Sequence, residues 1–348
     1  MFIDQANYFA EKGIEVHAAG ILVGRSNHFS RNLSRAVHFT EFNFQSAFDF
    51  KEYFKLRKYL KQNGIKIVYS FLDFSNVVAR LSKFFYPSLR VVIIEPGNPL
   101  RRSGRALFFE GLLNFLVFKI FAVSDDVRDK LVFKFPIHKR KIISVRNGVP
   151  AMLSKKETEE KLSRIQGDFF KVLHVGNMKT ENKGHAGIIL SVAKMSRDRS
   201  DMPIRLYLAG AGPILRDLEK LAEAKGLKEK VVFLGAVPHE EMKKYYFDAD
   251  VFIFNSRTEG GAAVIMEATS AALPVVTSNF NSVNEVVKDN ETGFIVKRDD
   301  VGGFAVKIEK LYDDSALKIK MGRSARKLYE ERFTFTVWAD FFIKELFS

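Results

Sequence analysis

From Lys171 onward, short apolar runs rich in β-branched and aromatic residues alternate with stretches whose apolar positions recur every third or fourth residue. The runs predict strands at Lys171–Val175, Arg205–Leu208, Val231–Leu234, Val251–Phe254, Pro274–Thr277 and Gly293–Val296. Amphipathic segments such as Ile214–Ala224 and Glu240–Phe247 read as helices between them. Strand and helix in strict alternation predict an α/β chain with a parallel, doubly wound sheet. The first half repeats the plan less cleanly, with strands at Glu15–Val23, Ile65–Ser70, Arg90–Ile94, Lys119–Val123 and Lys141–Val145. Residues 151–168, polar and charged, read as a linker. The pattern therefore predicts two Rossmann-like domains, 1–150 and 151–334, with a ligand cleft at the carboxyl ends of their strands.

The start of the chain departs from that plan. Residues 2–12 already form an amphipathic helix pattern ending at Gly13, whereas a doubly wound sheet begins with a central strand and a glycine-rich turn ahead of such a helix. The expectation is a first domain without its first strand. Either the natural start lies upstream, or the two flanking strands close up.

The segment Asn255 to Ser278, NSRTEGGAAVIMEATSAALPVVTS, carries the candidate chemistry. It follows the predicted strand Val251–Phe254 and reads as a turn with Glu259, Gly260 and Gly261 opening a helix that bears Glu267. Eight residues are just over two helical turns, which would bring both carboxylates near one face. Glycines at a helix start leave backbone N–H groups and the positive dipole end open to a phosphate. A carboxylate can accept paired hydrogen bonds from vicinal hydroxyls.

Composition narrows the class. With 47% hydrophobic and 28% charged residues, the chain has ample core for two ordinary domains. There is no cysteine, so neither disulfides nor thiolate chemistry are open to it, which fits a reducing compartment. No uninterrupted apolar run is long enough to span a bilayer, and no signal peptide pattern opens the chain. The net charge of +14 is uneven: residues 1–150 hold 24 Lys and Arg against 12 Asp and Glu, an excess of 12. Such asymmetry points to an anionic partner for the first half, a membrane surface or nucleic acid, with a merely solvated face as the plain alternative. Aromatic residues are not interleaved with basic ones as single-strand binding would require, which argues against nucleic acid.

Several landmarks in order and spacing resemble the retaining family-4 glycosyltransferases of the GT-B fold. They are AVSDDVRDKL (122–131), ISVRNGV (143–149), HVGN (174–177) with NKGH (182–185), LAGAGP (208–213), VVFLGAV (231–237), YYFDADVFIFNS (245–256), the EGG helix and ETGFIV (291–296). The resemblance implies that Glu259 touches the donor sugar, Glu267 the ribose and Lys183 the diphosphate. Gly176, Asn177, Gly235, Val237, Gly260, Gly261, Ala262 and Ala263 complete the implied donor-binding set, with Glu259 and Lys183 in the catalytic roles. It also implies a nucleotide-sugar donor and a glycan or polyprenyl-diphosphate-linked acceptor. The work would be surface polysaccharide, capsule or lipopolysaccharide assembly at the inner face of the cytoplasmic membrane. No cofactor and no metal are implied, and the final helix, 335–348 with Trp338, would return to the first domain. Two departures stand out: Asn177 occupies a position where the family often has Arg, and IIEPGNPLRRSGR (93–105) lacks a histidine common there.

Other residues bear plainer readings. Position 215 is Leu, so Gly210 and Gly212 do not complete a dinucleotide fingerprint; that loop reads as lining the donor cleft. Asp248-Ala249-Asp250 mimics a metal-binding pair but closes a helix and enters a strand, a structural position. The seven histidines are scattered, with no metal-ligand spacing. The stretch Arg101–Ile120, with Arg101, Arg102 and Arg105 ahead of a strongly apolar helix, reads as a core helix or as an interfacial one gripping a lipid phosphate. Two alternatives to transfer remain in view, a nucleotide-binding protein of the same fold without activity and a sugar-nucleotide epimerase.

Overall fold

A computed structural model describes residues 2–22, 32–97, 99, 102–164 and 167–347. Two units emerge, Val149–Thr334 and Met1–Gly148 with Phe335–Ser348.

The second unit holds strands β7 (Phe170–Val175), β8 (Ile204–Ala209), β9 (Val231–Gly235), β10 (Val251–Phe254), β11 (Val275–Ser278) and β12 (Gly293–Val296) in one parallel sheet, ordered β12-β11-β10-β7-β8-β9. The central strands read as unbroken apolar runs because both faces are covered, and all four residues of β10 and of β11 are buried. Its helices are α6 (Lys155–Ser163), α7 (His185–Asp198), α8 (Leu215–Ala224), α9 (Met242–Asp248), α10 (Ala263–Ser270), α11 (Val283–Val286), α12 (Val301–Asp313) and α13 (Ser315–Arg332). Ile188, Val192, Phe304 and Ile308 of α7 and α12 pack in one core with Leu206; Tyr246, Ile265 and Met266 of α9 and α10 pack in another with Phe252 and Phe254. The chain runs outward from β7 in one direction and from β10 in the other. The carboxyl ends of this adjacent pair are the switch point where such sheets hold ligands.

Residues read as a linker instead form α6 within this unit. Ser154 and Glu157 close a capping box at its start. The Lys161 ammonium, buried, donates to the carbonyls of Tyr246, Phe247 and Ala249 at the end of α9, which fixes the helix to the sheet. Charge density disguised an anchored helix.

The first unit holds β1 (Val16–Leu22), β2 (Val37–Asn43), β3 (Ile67–Phe71), β4 (Arg90–Glu95), β5 (Lys119–Ala122) and β6 (Ile142–Ser144), all in parallel pairs. Its helices are α1 (Phe2–Glu11), α2 (Phe50–Gln62), α3 (Asp73–Phe85), α4 (Gly104–Leu113), α5 (Asp125–Lys134) and α14 (Phe335–Phe347). Strand β2 has no counterpart among the sequence expectations. The strands form two sheets, β1-β2 and β3-β4-β5-β6, so β1 and β3 do not close up on each other. Helix α1 links them through side chains: the Tyr69 hydroxyl donates to Gln5 at 3.2 Å, and Phe9 lies against Trp338 and Phe342 of α14.

Candidate functional site

At the carboxyl end of β7 the chain turns through Gly176 and Asn177, then through a single 3-10 turn, Glu181–Lys183, capped by Thr180. Gly184 follows at φ 67°, and a Cβ there would lie 2.2 Å from the Asn255 carbonyl oxygen, so only glycine fits. On the facing strand, β10 runs into Asn255 and Ser256. The Arg257 N–H and the Ser256 hydroxyl both donate to the Asn182 carbonyl, at 2.9 and 3.3 Å. The two turns are thereby stitched together across the switch point.

That stitching brings Lys183 to Glu259. Nζ meets Oε1 at 2.5 Å, with the side chains 19% and 11% exposed, and the ammonium also lies 5.3 Å from the centre of the Phe254 ring. The two residues singled out for the diphosphate and the sugar thus pair with each other directly.

The geometry inferred for the EGG segment needs correction. Helix α10 begins at Ala263, after Ala262 at φ 41°, ψ 46°, so Glu259 precedes the helix and shares no helical face with Glu267. Gly260 and Gly261 lie in the turn. A left-handed alanine is a strained conformation. The helix start, with the backbone N–H groups that a helix leaves without an intrahelical partner, lies at Ala263 rather than at Gly260.

Glu267 is 14% exposed on its side chain. It accepts a hydrogen bond from the buried Tyr246 hydroxyl at 2.8 Å and lies 3.3 Å from the His239 ring nitrogen. Burial, with the Glu267 charge beside it, pushes the Tyr246 hydroxyl well above its ordinary pKa, so it stays a donor. Tyr246 and His239 were not among the sequence candidates. They lie 21 and 28 residues away, and only the packing of α9 on α10 brings them in.

Beneath the Gly176 turn sit two buried histidines. His174 holds the Ile253 carbonyl through Nδ1 at 2.9 Å, and its ring meets that of His185 edge-on at 4.7 Å. Burial, then His185 and Lys183, push His174 down to about 3, and burial lowers His185 as well. Both are neutral at physiological pH, so the cationic charge here comes from Lys183. Gly210 explains the neighbouring loop: its N–H donates to the Gly235 carbonyl at 2.8 Å, and a Cβ on it would lie 1.9 Å from the Gly176 oxygen. The loops after β7, β8 and β9 are packed backbone to backbone, with Val237 half-buried beyond Gly235.

Asp248 and Asp250 do structural work at the opposite end of the sheet. Asp250 accepts from the Lys171 N–H and from Lys318, while Asp248 pairs with Arg164 and Lys171. The reading that the histidines form no metal-ligand arrangement is corrected in the first unit: His17 and His38 stack across β1 and β2, and with Glu15 they place three possible ligand atoms within 4.8 Å of one another, residues that strand pairing and not sequence spacing brings together.

The basic candidates of the first unit part company. Arg101 lies outside the described residues. Arg102 is gathered by Glu95, Glu110 and Asp73 at 2.7, 2.6 and 2.8 Å, and burial raises the Glu95 carboxyl against the pull of Arg102. Arg105 is exposed on α4.

Residues 155–328, half of the chain, match the family model for glycosyl transferases group 1. The chain belongs to this family. Group 1 relatives include an alpha-D-kanosaminyltransferase of Streptomyces kanamyceticus, 31% identical over 49% of this chain and 43% of its own length. The capsular polysaccharide biosynthesis glycosyltransferase CapM of Staphylococcus aureus is 27% identical over 65% of this chain and 60% of its own. The chain thus spans about half the length of these relatives. In structure it is similar to Anabaena Alr3699/HepE, solved in complex with UDP, with a TM-score of 0.83 at 17% identity, covering 99% of this chain and 94% of that one. That likeness gives the fold, the two-unit GT-B arrangement of α/β sheets. The family match falls on the second unit, where Lys183, Glu259 and Glu267 lie.

Proposed function

We propose that this chain is a glycosyltransferase that moves a sugar from a nucleotide-sugar donor to a glycan or polyprenyl-diphosphate-linked acceptor, with retention and without a metal. The observation that carries the reading is the Lys183–Glu259 pair at the switch point, 2.5 Å apart, beside the open start of α10. Breaking the bond between the anomeric carbon and the diphosphate oxygen leaves a nucleoside diphosphate with added negative charge. Lys183 and the N–H groups of Ala263 and Val264 supply positive charge there. When a donor arrives, the diphosphate takes Lys183, and Glu259 is released to accept hydrogen bonds from the sugar hydroxyls. Glu267, held by Tyr246, receives the ribose hydroxyls.

We take the transfer to need no metal because Lys183 and the start of α10 can offer the diphosphate positive charge. In this reading the acceptor hydroxyl attacks on the face the diphosphate leaves, and a phosphate oxygen takes its proton. The relatives' names support work in surface polysaccharide assembly, where the acceptor is held at the inner face of the cytoplasmic membrane. No helix among the described residues is long and apolar enough to cross a membrane, so attachment there would be peripheral.

The test is turnover of a panel of UDP-, GDP- and dTDP-sugars in the presence of a chelator, with NMR of the released or transferred sugar. Retained anomeric configuration with undiminished rate in chelator supports the reading. Inversion, or full loss on chelation, overturns the mechanism.

A further inference from the structure

Strands β1 and β2 carry a cluster that neither the donor site nor the core uses. Side chains along a strand alternate between its faces, so Glu15, just before β1, and His17 within it share a face. The parallel register sets His38 of β2 directly beside His17. Val16, Ala18 and Val37, on the other face, pack with Ala6 of α1. The face with the histidines is covered farther along by Phe42 and by Tyr59 of α2, whose rings meet edge-on at 5.8 Å. At the strand starts that cover ends: Glu15 and His38 are exposed, and His17 is partly buried.

The three side chains offer two imidazole nitrogens and a carboxylate oxygen, all within 4.8 Å of one another. His17 Nε2 and Glu15 Oε1 are 3.0 Å apart. That is close to the roughly 3.3 Å that bonds of about 2.0–2.1 Å impose on neighbouring ligands of a tetrahedral ion. The His38 ring lies alongside that of His17, with centres 4.7 Å apart and planes 26° from parallel, and makes no side-chain hydrogen bond among the described residues. Rotation of this exposed side chain closes the remaining distance. His17 is also oriented from behind, since its Nδ1 lies 2.8 Å from the Tyr59 hydroxyl. A hydroxyl both donates and accepts, so it can take the Nδ1 proton and leave Nε2 free for a cation. Such a partner at the far nitrogen fixes the tautomer and ring of metal-binding histidines.

We propose that Glu15, His17 and His38 bind a Zn2+ ion, with the fourth position left to water. Two nitrogens and one oxygen suit Zn2+ better than Mg2+ or Ca2+, which take oxygen ligands throughout. The role is that of a staple. β1 and β2 stand as a two-stranded sheet, and such a pair is marginal by itself. An ion held by both strands binds only when they are paired in this register, and so stabilises the pairing by mass action. The cluster lies at the amino ends of the strands, whereas sheets of this kind hold their ligands at the carboxyl ends. The ion therefore serves the fold and not the transfer.

Calorimetric titration of the full chain with Zn2+ alone, prepared without a histidine tag, tests this. The wild type should take up a single Zn2+ per chain, and its melting midpoint should rise when Zn2+ is added. His38→Ala alters an exposed residue, so it should keep the metal-free midpoint while binding Zn2+ at least about a hundredfold more weakly. Tyr59→Phe keeps all three ligands and should lose roughly tenfold in affinity. Mg2+ should not compete. Nucleotide-sugar hydrolysis should be the same with Zn2+ or with a chelator, and the same in His38→Ala as in the wild type, so this site and the donor site stand or fall separately. No uptake of Zn2+ by the wild type overturns the proposal. So does uptake that His38→Ala leaves at full strength, since the ion would then sit elsewhere, and so does Mg2+ that competes equally.

Discussion

Glu267→Ala removes the acceptor of a buried hydroxyl as well as a ligand for ribose, and the two effects can be separated. Tyr246 is fully buried, and its hydroxyl donates to Glu267 at 2.8 Å. With the carboxylate gone, that buried hydroxyl loses its acceptor, which costs about 1–3 kcal/mol. For a unit of this size each kcal/mol moves the midpoint by about 2–4 °C, so the second unit should melt roughly 2–12 °C lower. Tyr246→Phe removes the donor instead. Glu267 keeps His239 and partial solvent contact, so the loss should be about 1 kcal/mol. Removing both partners together leaves nothing unsatisfied, so the double variant should lose less than the sum, with a coupling of about 1 kcal/mol. Denaturant unfolding of the four proteins gives the cycle. Calorimetry with the nucleotide gives the second effect: Glu267→Ala should bind roughly 5–150-fold more weakly, and Tyr246→Phe much less so. Single-variant losses that add to within about 0.3 kcal/mol would refute the hydrogen bond. Unchanged nucleotide affinity in Glu267→Ala would refute the ribose assignment.

Lys183→Ala should slow turnover far more than it weakens nucleotide binding, because its partner charge grows as the anomeric bond breaks; equal losses in single-turnover rate and in Kd would count against that role. Gly210→Ala drives a Cβ into the Gly176 carbonyl at a φ of 148°, and should destabilise the second unit by about 1–3 kcal/mol and weaken the nucleotide with it; an unshifted midpoint would mean the loops are not packed as described. His174 and His185 have folded-state pKa values below their unfolded value, so the unfolded chain binds more protons and stability falls as pH drops below about 6.5. With His174 at about 3, its share at pH 5 is about 2 kcal/mol, and His174→Gln should flatten the decline of the midpoint between pH 7 and pH 5.

What the sequence makes legible follows from burial. The strands of the second unit are covered on both faces, so their apolar runs stand out, and β10 and β12 are found residue for residue. Strand β2 sits at the edge of a two-stranded sheet, with most of VHFTEFN exposed, and carries no such run. Lys183 and Glu259 are readable because each lies in the turn after a strand and directly precedes a glycine. Their direct pairing is not readable, since it depends on hydrogen bonds between turns that are 74 residues apart. The start of α10 is misplaced for a local reason: nothing in an alanine announces a left-handed backbone, whereas the glycine pair before it does invite a helix opening. The apolar neighbours of Glu267 correctly demand a partner, and in the unliganded protein that partner is Tyr246.

Release of nucleoside diphosphate from a panel of UDP-, GDP- and dTDP-sugars, by the wild-type protein and by Lys183→Ala, tests the central claim most directly. The account predicts turnover of at least one donor by the wild type, and a fall of roughly a hundredfold or more in Lys183→Ala, whose fold and nucleotide binding persist. Turnover of no donor by a preparation that binds nucleotide, or full activity without the Lys183 ammonium, would contradict it.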